Sequence, residues 1–218
     1  MALLGRSALL LVGLFVIGSL LSSCARTPRE PSRIVRVVVL DAMVDFEAPQ
    51  RGAVQEEGWW FGFRDRYRGS NMGVGMGDAL AREVGRIPGV DVFPREDLSI
   101  YMGRKERILS NNFPELGSED RKRLLLEQDP VNYGRSLNVD FVITSSVADA
   151  STVLNRTVKW WYSHVDTLIE VWDVSSEQVV FAYPVSRTRY FNSQYRVSQS
   201  IGKSLARQLQ RGDVLRVH

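Results

Sequence analysis

One cysteine and two histidines in 218 residues leave little for thiol or metal chemistry. The cysteine is Cys24; the histidines are His164 and His218, and neither has a partner at metal-ligand spacing. No Gly-x-Ser-x-Gly is present. The glycine-rich stretch GVGMGDAL, residues 73–80, lacks the Gly-Lys-Ser/Thr of a phosphate-binding loop and reads as flexible entry to a helix. Carboxylate pairs such as Glu56-Glu57 and Glu119-Asp120 sit in charged surface segments. The expectation is a protein that is not an enzyme and holds no metal. Long apolar runs are scarce as well: past Leu21 none would make a transmembrane helix. Charge of one sign is not in excess. Without Arg6 the chain has 27 basic residues against 25 acidic, a net +2, which gives no electrostatic case for nucleic acid.

What is present begins at the amino terminus. Arg6 precedes an apolar run from Ala8 to Leu21, too short for a comfortable bilayer span and right for the core of a signal peptide. Leu21-Ser22-Ser23-Cys24 follows, and it resembles the lipobox of bacterial lipoproteins. That resemblance implies cleavage before Cys24 and acylation of it, so the only cofactor expected is a covalent lipid. Two or three acyl chains hold a soluble domain stably to a leaflet, at roughly 0.8 kcal/mol per buried CH₂. Ala25, not aspartate, follows the cysteine. By resemblance to lipoprotein sorting in Gram-negative bacteria, this implies the periplasmic face of the outer membrane. The expected organisation is a signal peptide over 1–23, an acylated cysteine and short tether over 24–33, one domain over 34–212 and a tail over 213–218. The tether, with RTPREPSR at 26–33, holds two prolines and no long apolar residue.

Periodicity then sets the fold class. RIVRVVVLDAM from Arg33 is a β-branched run of the kind buried on both faces. GMGDALAREVGRI predicts a helix with Leu80, Val84 and Ile87 on one face, ended by Pro88-Gly89. VDVFP is a short strand. REDLSIYMGRKERIL predicts a helix capped by Asp97, and EDRKRLLLEQD a charged helix. PVNYGRSLN predicts a helix with Pro130 at its first position and Asn138 at its stop. VDFVITSSVADA is a strand. RTVKWWYSHVDTLIEVWDV and QVVFAYPVSRTRYF form an antiparallel pair. Thr167, Ile169 and Val171 fall on one side of the first; Leu168, Glu170 and Trp172 fall on the other. A last helix over Ser193–Gln210 carries Val197, Ile201, Leu205 and Leu209, with Gly212 at its C-cap. The order predicts an α/β fold, a two-layer or three-layer sandwich with a mixed β-sheet flanked by helices.

Four stretches in this order resemble the CsgG family of outer-membrane lipoproteins, whose soluble domain is related to the amino-terminal domain of TolB. They are VVVLDAMVDF; GDALAREVGRIPGVDVFPREDLSIYMGRKERIL, with Arg95 and Leu98 as its anchors; SLNVDFVITSSVADA; and DTLIEVWDVSSEQVVFAYPVSRT. Ser145 stands where the family has glycine, and no glycine accompanies Glu177 in the strand-connecting turn. The chain lacks room for the two long membrane hairpins of the curli channel. It is closer in length to relatives of the PelC type, in polysaccharide export, and the LpoB type, which activate a peptidoglycan synthase. The resemblance implies a non-catalytic, homo-oligomeric subunit of an envelope assembly, ring-forming and concerned with secretion or export. The alternative is a monomeric regulator of a peptidoglycan synthase. The partners expected are the inner leaflet of the outer membrane, further copies, and other envelope or secretion proteins.

Two aromatic clusters are the candidate contacts. GWWFGFRDRYRG, residues 58–69, gathers Trp59, Trp60, Phe61, Phe63, Arg64, Arg66 and Tyr67. KWWYSH, residues 159–164, holds Trp160 and Trp161, which face opposite sides of a strand. Aromatics with arginine dominate interfaces, and Trp and Tyr favour the membrane–water boundary. Alternatively, these rings fold back over the domain's own core.

Overall fold

The structure, a computed structural model, describes residues 34–44, 72–155 and 160–215, the side chains of 119 and 153–155 apart. Strand β1, Val35–Val39, lies between β3, Val90–Val92, and β4, Phe141–Asn155, and is parallel to both. Val37, Val38 and Val39 are wholly buried, as a β-branched run covered on both faces requires. The two-residue β2, Met43–Val44, continues along β4. Strands β5, Trp160–Asp173, and β6, Gln178–Tyr190, complete the sheet in antiparallel fashion. The order is β3-β1-β4-β5-β6, with β2 also on β4, so the sheet is mixed as the sequence predicts.

Five helices flank it: α1, Met72–Val84; α2, Arg95–Asn112; α3, Ser118–Leu126; α4, Pro130–Leu137; and α5, Gln194–Gly212. On one face α1 and α5 bury Met76, Leu80 and Val84 with Val197, Ile201, Leu205 and Leu209. These meet Val37, Val39, Ile143, Val165, Ile169 and Val171. On the other face Leu98 of α2 and Tyr133 and Leu137 of α4 meet Val38, Leu40 and Val142. The sandwich therefore has three layers over β1 and the start of β4. Over most of β5 and β6 it has two, because no helix among the described residues covers their second face. There Leu168, Ala182, Pro184, Ser186 and Thr188 are exposed.

Three local expectations are corrected. Helix α2 begins after Pro94, which is the N-cap and offers no side-chain cap. Asp97 sits instead in the first turn, where its charge favours the positive end of the helix. The same helix runs on to Asn112. At the end of α5 the left-handed C-cap is Asp213 (φ 53°), one residue past Gly212, because Asp is among the few residues that enter this region readily. Asn138 (φ 52°) ends α4 as predicted, and the Asp129 carboxylate accepts from the Val131 amide at 2.9 Å to start it. In the β5–β6 turn Glu177 adopts φ 60° without a glycine's freedom. Its amide donates to Asp173 and its carboxylate pairs with Arg135. Burial raises the Asp173 pKa. The Ser175 hydroxyl and amide, with the Ser176 amide, outweigh that and hold the carboxyl below its ordinary range.

The resemblance's two anchors are structural. Leu98 is buried in the second core. Arg95 ties three elements together: its Nε donates to Asp78 of α1 at 2.8 Å, its Nη1 to the Val39 carbonyl at 2.8 Å, and its Nη2 to Asp41. Burial alone lowers the guanidinium's pKa; Asp41 and Asp78 more than offset this, and it stands above its ordinary value. Gly77 permits the arrangement, since a Cβ there would lie 3.0 Å from the Leu40 carbonyl and 3.1 Å from Arg95 Nη2.

Candidate contact surface

The far ends of β5 and β6 bring aromatic residues together by register. Tyr162 pairs with Tyr190, while Trp161 and Trp160 lie opposite residues 154 and 155 of β4. Alternation would spread these side chains over both faces. The chain breaks that pattern at Phe191, whose backbone turns left-handed (φ 55°). A bulky residue enters that region only under constraint. Here the Phe191 amide donates to the Trp161 carbonyl at 2.9 Å, which holds the turn.

The result is a chain of edge-to-face rings. The Phe191 centroid lies 6.5 Å from Trp160 and 6.4 Å from Trp161; Tyr190 lies 6.5 Å from Trp160 and 5.8 Å from Tyr162. Such pairs add about 0.5–1.5 kcal/mol beyond burial. Yet Trp160 and Tyr190 are each 58% exposed and Phe191 53%. The rings stabilise one another and still present a broad apolar end to solvent. That combination makes this end a candidate contact surface, because exposed apolar patches of this kind are uncommon on soluble surfaces.

The base of this end is polar and firmly tied. His164 Nδ1 and Thr188 Oγ1 stand 2.8 Å apart across β5 and β6. Thr152 and Ser163 hydroxyls meet at 2.9 Å. Arg187 reaches the Ser200 carbonyl and hydroxyl at 2.8 and 2.7 Å, and Arg189 the same hydroxyl at 2.8 Å, which fixes β6 to α5. A shallow depression of about 410 Å³ beside them is lined by Arg187, Thr188, Arg189, Tyr190 and Asn192. Its lining offers cations and hydroxyls. Among the described residues no group of three His, Cys, Asp or Glu could hold a metal ion, and no helix is long and apolar enough to cross a membrane.

Of the residues singled out in the sequence, Trp160 and Trp161 lie here. Cys24 and the cluster Trp59, Trp60, Phe61, Phe63, Arg64, Arg66 and Tyr67 lie outside the described residues. Sequence reasoning missed Tyr190 and Phe191. Their signal was available: an Arg-Tyr-Phe ending on the strand that pairs with Trp-Trp-Tyr.

No protein-family model and no curated protein matches the sequence. Solved structures do resemble it in fold. The PelC dodecamer from Paraburkholderia phytofirmans is 15% identical over 85% of this chain and 90% of that one, with a TM-score of 0.46. Lipoprotein GNA1162 from Neisseria meningitidis is 13% identical over 81% and 99%, with a TM-score of 0.46. The LpoB C-terminal domain from Salmonella enterica is 10% identical over 76% and 90%, with a TM-score of 0.40.

Proposed function

We propose that this chain is a lipid-anchored, non-catalytic subunit of a bacterial envelope assembly. Acyl chains on Cys24 hold it to the periplasmic face of the outer membrane, where copies associate, as a ring, to support secretion or export with other envelope proteins. The carrying observation is the pairing of a lipobox-like Leu21-Ser22-Ser23-Cys24 with an exposed aromatic end built from Trp160, Trp161, Tyr162, Tyr190 and Phe191. The tether of about nine residues spans roughly 30 Å when fully extended. It keeps the domain near the leaflet, beside any neighbour held on the same leaflet. Confinement to a surface raises the effective concentration of copies and favours their association.

Two measurements test this. Cys24→Ala should move the protein from the membrane pellet to the soluble fraction; retention in the pellet would assign anchoring to the apolar run itself. Light scattering of the detergent-extracted wild type should give a discrete mass of many copies. A monomer at micromolar concentration would replace this reading with that of a regulator acting on a cell-wall synthase.

A further inference from the structure

Net charge is nearly balanced along the chain, but it is sorted by face. Helix α5 carries Arg196, Lys203, Arg207 and Arg211 and no Asp or Glu in 19 residues, and these four side chains are exposed. Arg187 and Arg189 of β6 join the same side, where their hydrogen bonds go to the neutral Ser200. Arg82 of α1 adds to it, standing 5.9 Å over the Tyr195 ring. The back of the sheet, which no helix among the described residues covers, has the opposite sign there. Asp149 of β4 stands directly opposite Asp166 of β5, and Glu170 follows on the same face. Neither β4 nor β5 contains Lys or Arg, and both arginines of β6 face α5. Like charges directly opposite across a strand pair are destabilising, and a cation from outside would relieve them.

These two faces lie back to back across the sheet, so they cannot meet within one copy. We propose that the basic face of α5 in one copy docks on the acidic back of β4, β5 and β6 in the next. This rests on the self-association reading above and names its interface. Leu168, 38% exposed and flanked by Ser146 and Pro184, supplies an apolar centre to the acidic face. The contact joins two different surfaces, so it runs head to tail and closes into a ring when the rotation between copies allows. A lipid surface is the poorer occupant for α5. The helix starts three residues after Phe191 and runs on the order of 28 Å away from the aromatic end. A membrane meeting that end would meet α5 end-on, not along its length.

The test uses acylated full-length protein in detergent, with mass read by light scattering. Lys203→Glu with Arg207→Glu makes both faces acidic; Asp166→Lys with Glu170→Lys makes both basic. Each variant alone should associate at least about tenfold more weakly than wild type at 0.15 M salt. An equimolar mixture should regain the wild-type mass, because each variant then presents the face its partner lacks. Circular dichroism and melting confirm folding. If a double variant does not fold, Arg207→Gln and Glu170→Gln replace the pairs. Each is expected to associate more weakly than wild type and not to recover on mixing, since every second head-to-tail contact would then join the two neutralised faces; unchanged association of both would overturn the interface. Variants that keep the full mass overturn the interface while leaving self-association standing. A monomeric wild type overturns both. Variants of unchanged mass in which only the α5 pair loses binding to vesicles containing phosphatidylglycerol would assign α5 to lipid and overturn the proposal.

Discussion

Gly134 and Gly103 both lie in helices, and the same substitution has opposite expected effects at them. A Cβ at Gly134 would sit 2.2 Å from Val174 Cγ2 and 2.9 Å from Val142 Cγ2. Valine is stiff at χ1 and Val142 is wholly buried, so neither methyl can swing away. Gly134→Ala should therefore lose about 1–3 kcal/mol to overpacking despite the gain in helix propensity. Around Gly103 nothing lies within 4 Å, and Gly103→Ala should gain about 0.5–1 kcal/mol. Urea midpoints of the two variants check the pair; equal signs would refute the argument. Tyr133 adds a pH dependence. Its hydroxyl donates to the Leu125 carbonyl at 2.5 Å, and burial, with Tyr101 beside it, pushes its pKa up to about 12. The unfolded phenol ionises near 10. The neutral, buried form thus contributes stability that is whole below pH 10 and lost as pH rises through about 12. The loss is on the order of 2 kcal/mol. Tyr133→Phe should be less stable at pH 8 by about 1 kcal/mol. It should also lack this alkaline limb in denaturant titrations at pH 9 and pH 11.5.

Elements differ in what their side chains are for, and substitution separates core from surface. Ile201 on α5 is wholly buried, so Ile201→Ala should cost about 2–5 kcal/mol. Trp160→Ala with Tyr190→Ala should cost under about 2 kcal/mol, since both rings are more than half exposed and lose chiefly edge-to-face contacts. A melting loss matching that of Ile201→Ala would make those rings core. This contrast also explains what the sequence made legible. Burial imposes period: the stripe Val197, Ile201, Leu205, Leu209 and the alternation Thr167, Ile169, Val171 predict α5 and β5 because each faces one core. The caps were read less well. Asp97 and Gly212 have the right chemistry three residues and one residue away from the positions the backbone uses, and local signals do not resolve that shift. The aromatic end was half read, because Tyr190 and Phe191 join Trp160 only through strand pairing some 30 residues apart in sequence. The division into a three-layer and a two-layer part was not legible at all. Leu168, Pro184 and Val185 look equally apolar in sequence, and only the placement of α2 and α4 decides which faces stay open.

At the scale of the whole molecule, the sorting of charge links assembly to stability. Among the described residues, the acidic back of the sheet and the basic face of α5 each gather charge of one sign, which repels itself. A neighbour that docks only on the folded form relieves this repulsion twice, once on each face. Mass action then makes the melting temperature depend on concentration, by about 2.7 kcal/mol at a hundredfold excess over the dissociation constant. For a chain of this size 1 kcal/mol corresponds to roughly 2–4 °C. Acylated wild type in detergent should therefore melt roughly 5–10 °C higher when its concentration is raised from well below to a hundredfold above the association midpoint seen by light scattering. In 0.5 M salt, where exposed charges beyond a few ångströms are screened, that rise should shrink. The pair Lys203→Glu with Arg207→Glu should remove it while leaving the low-concentration melt near that of wild type. A melting temperature that stays constant across the association midpoint would mean that copies meet without stabilising one another, and that the opposed charges on the two faces serve something other than their own assembly.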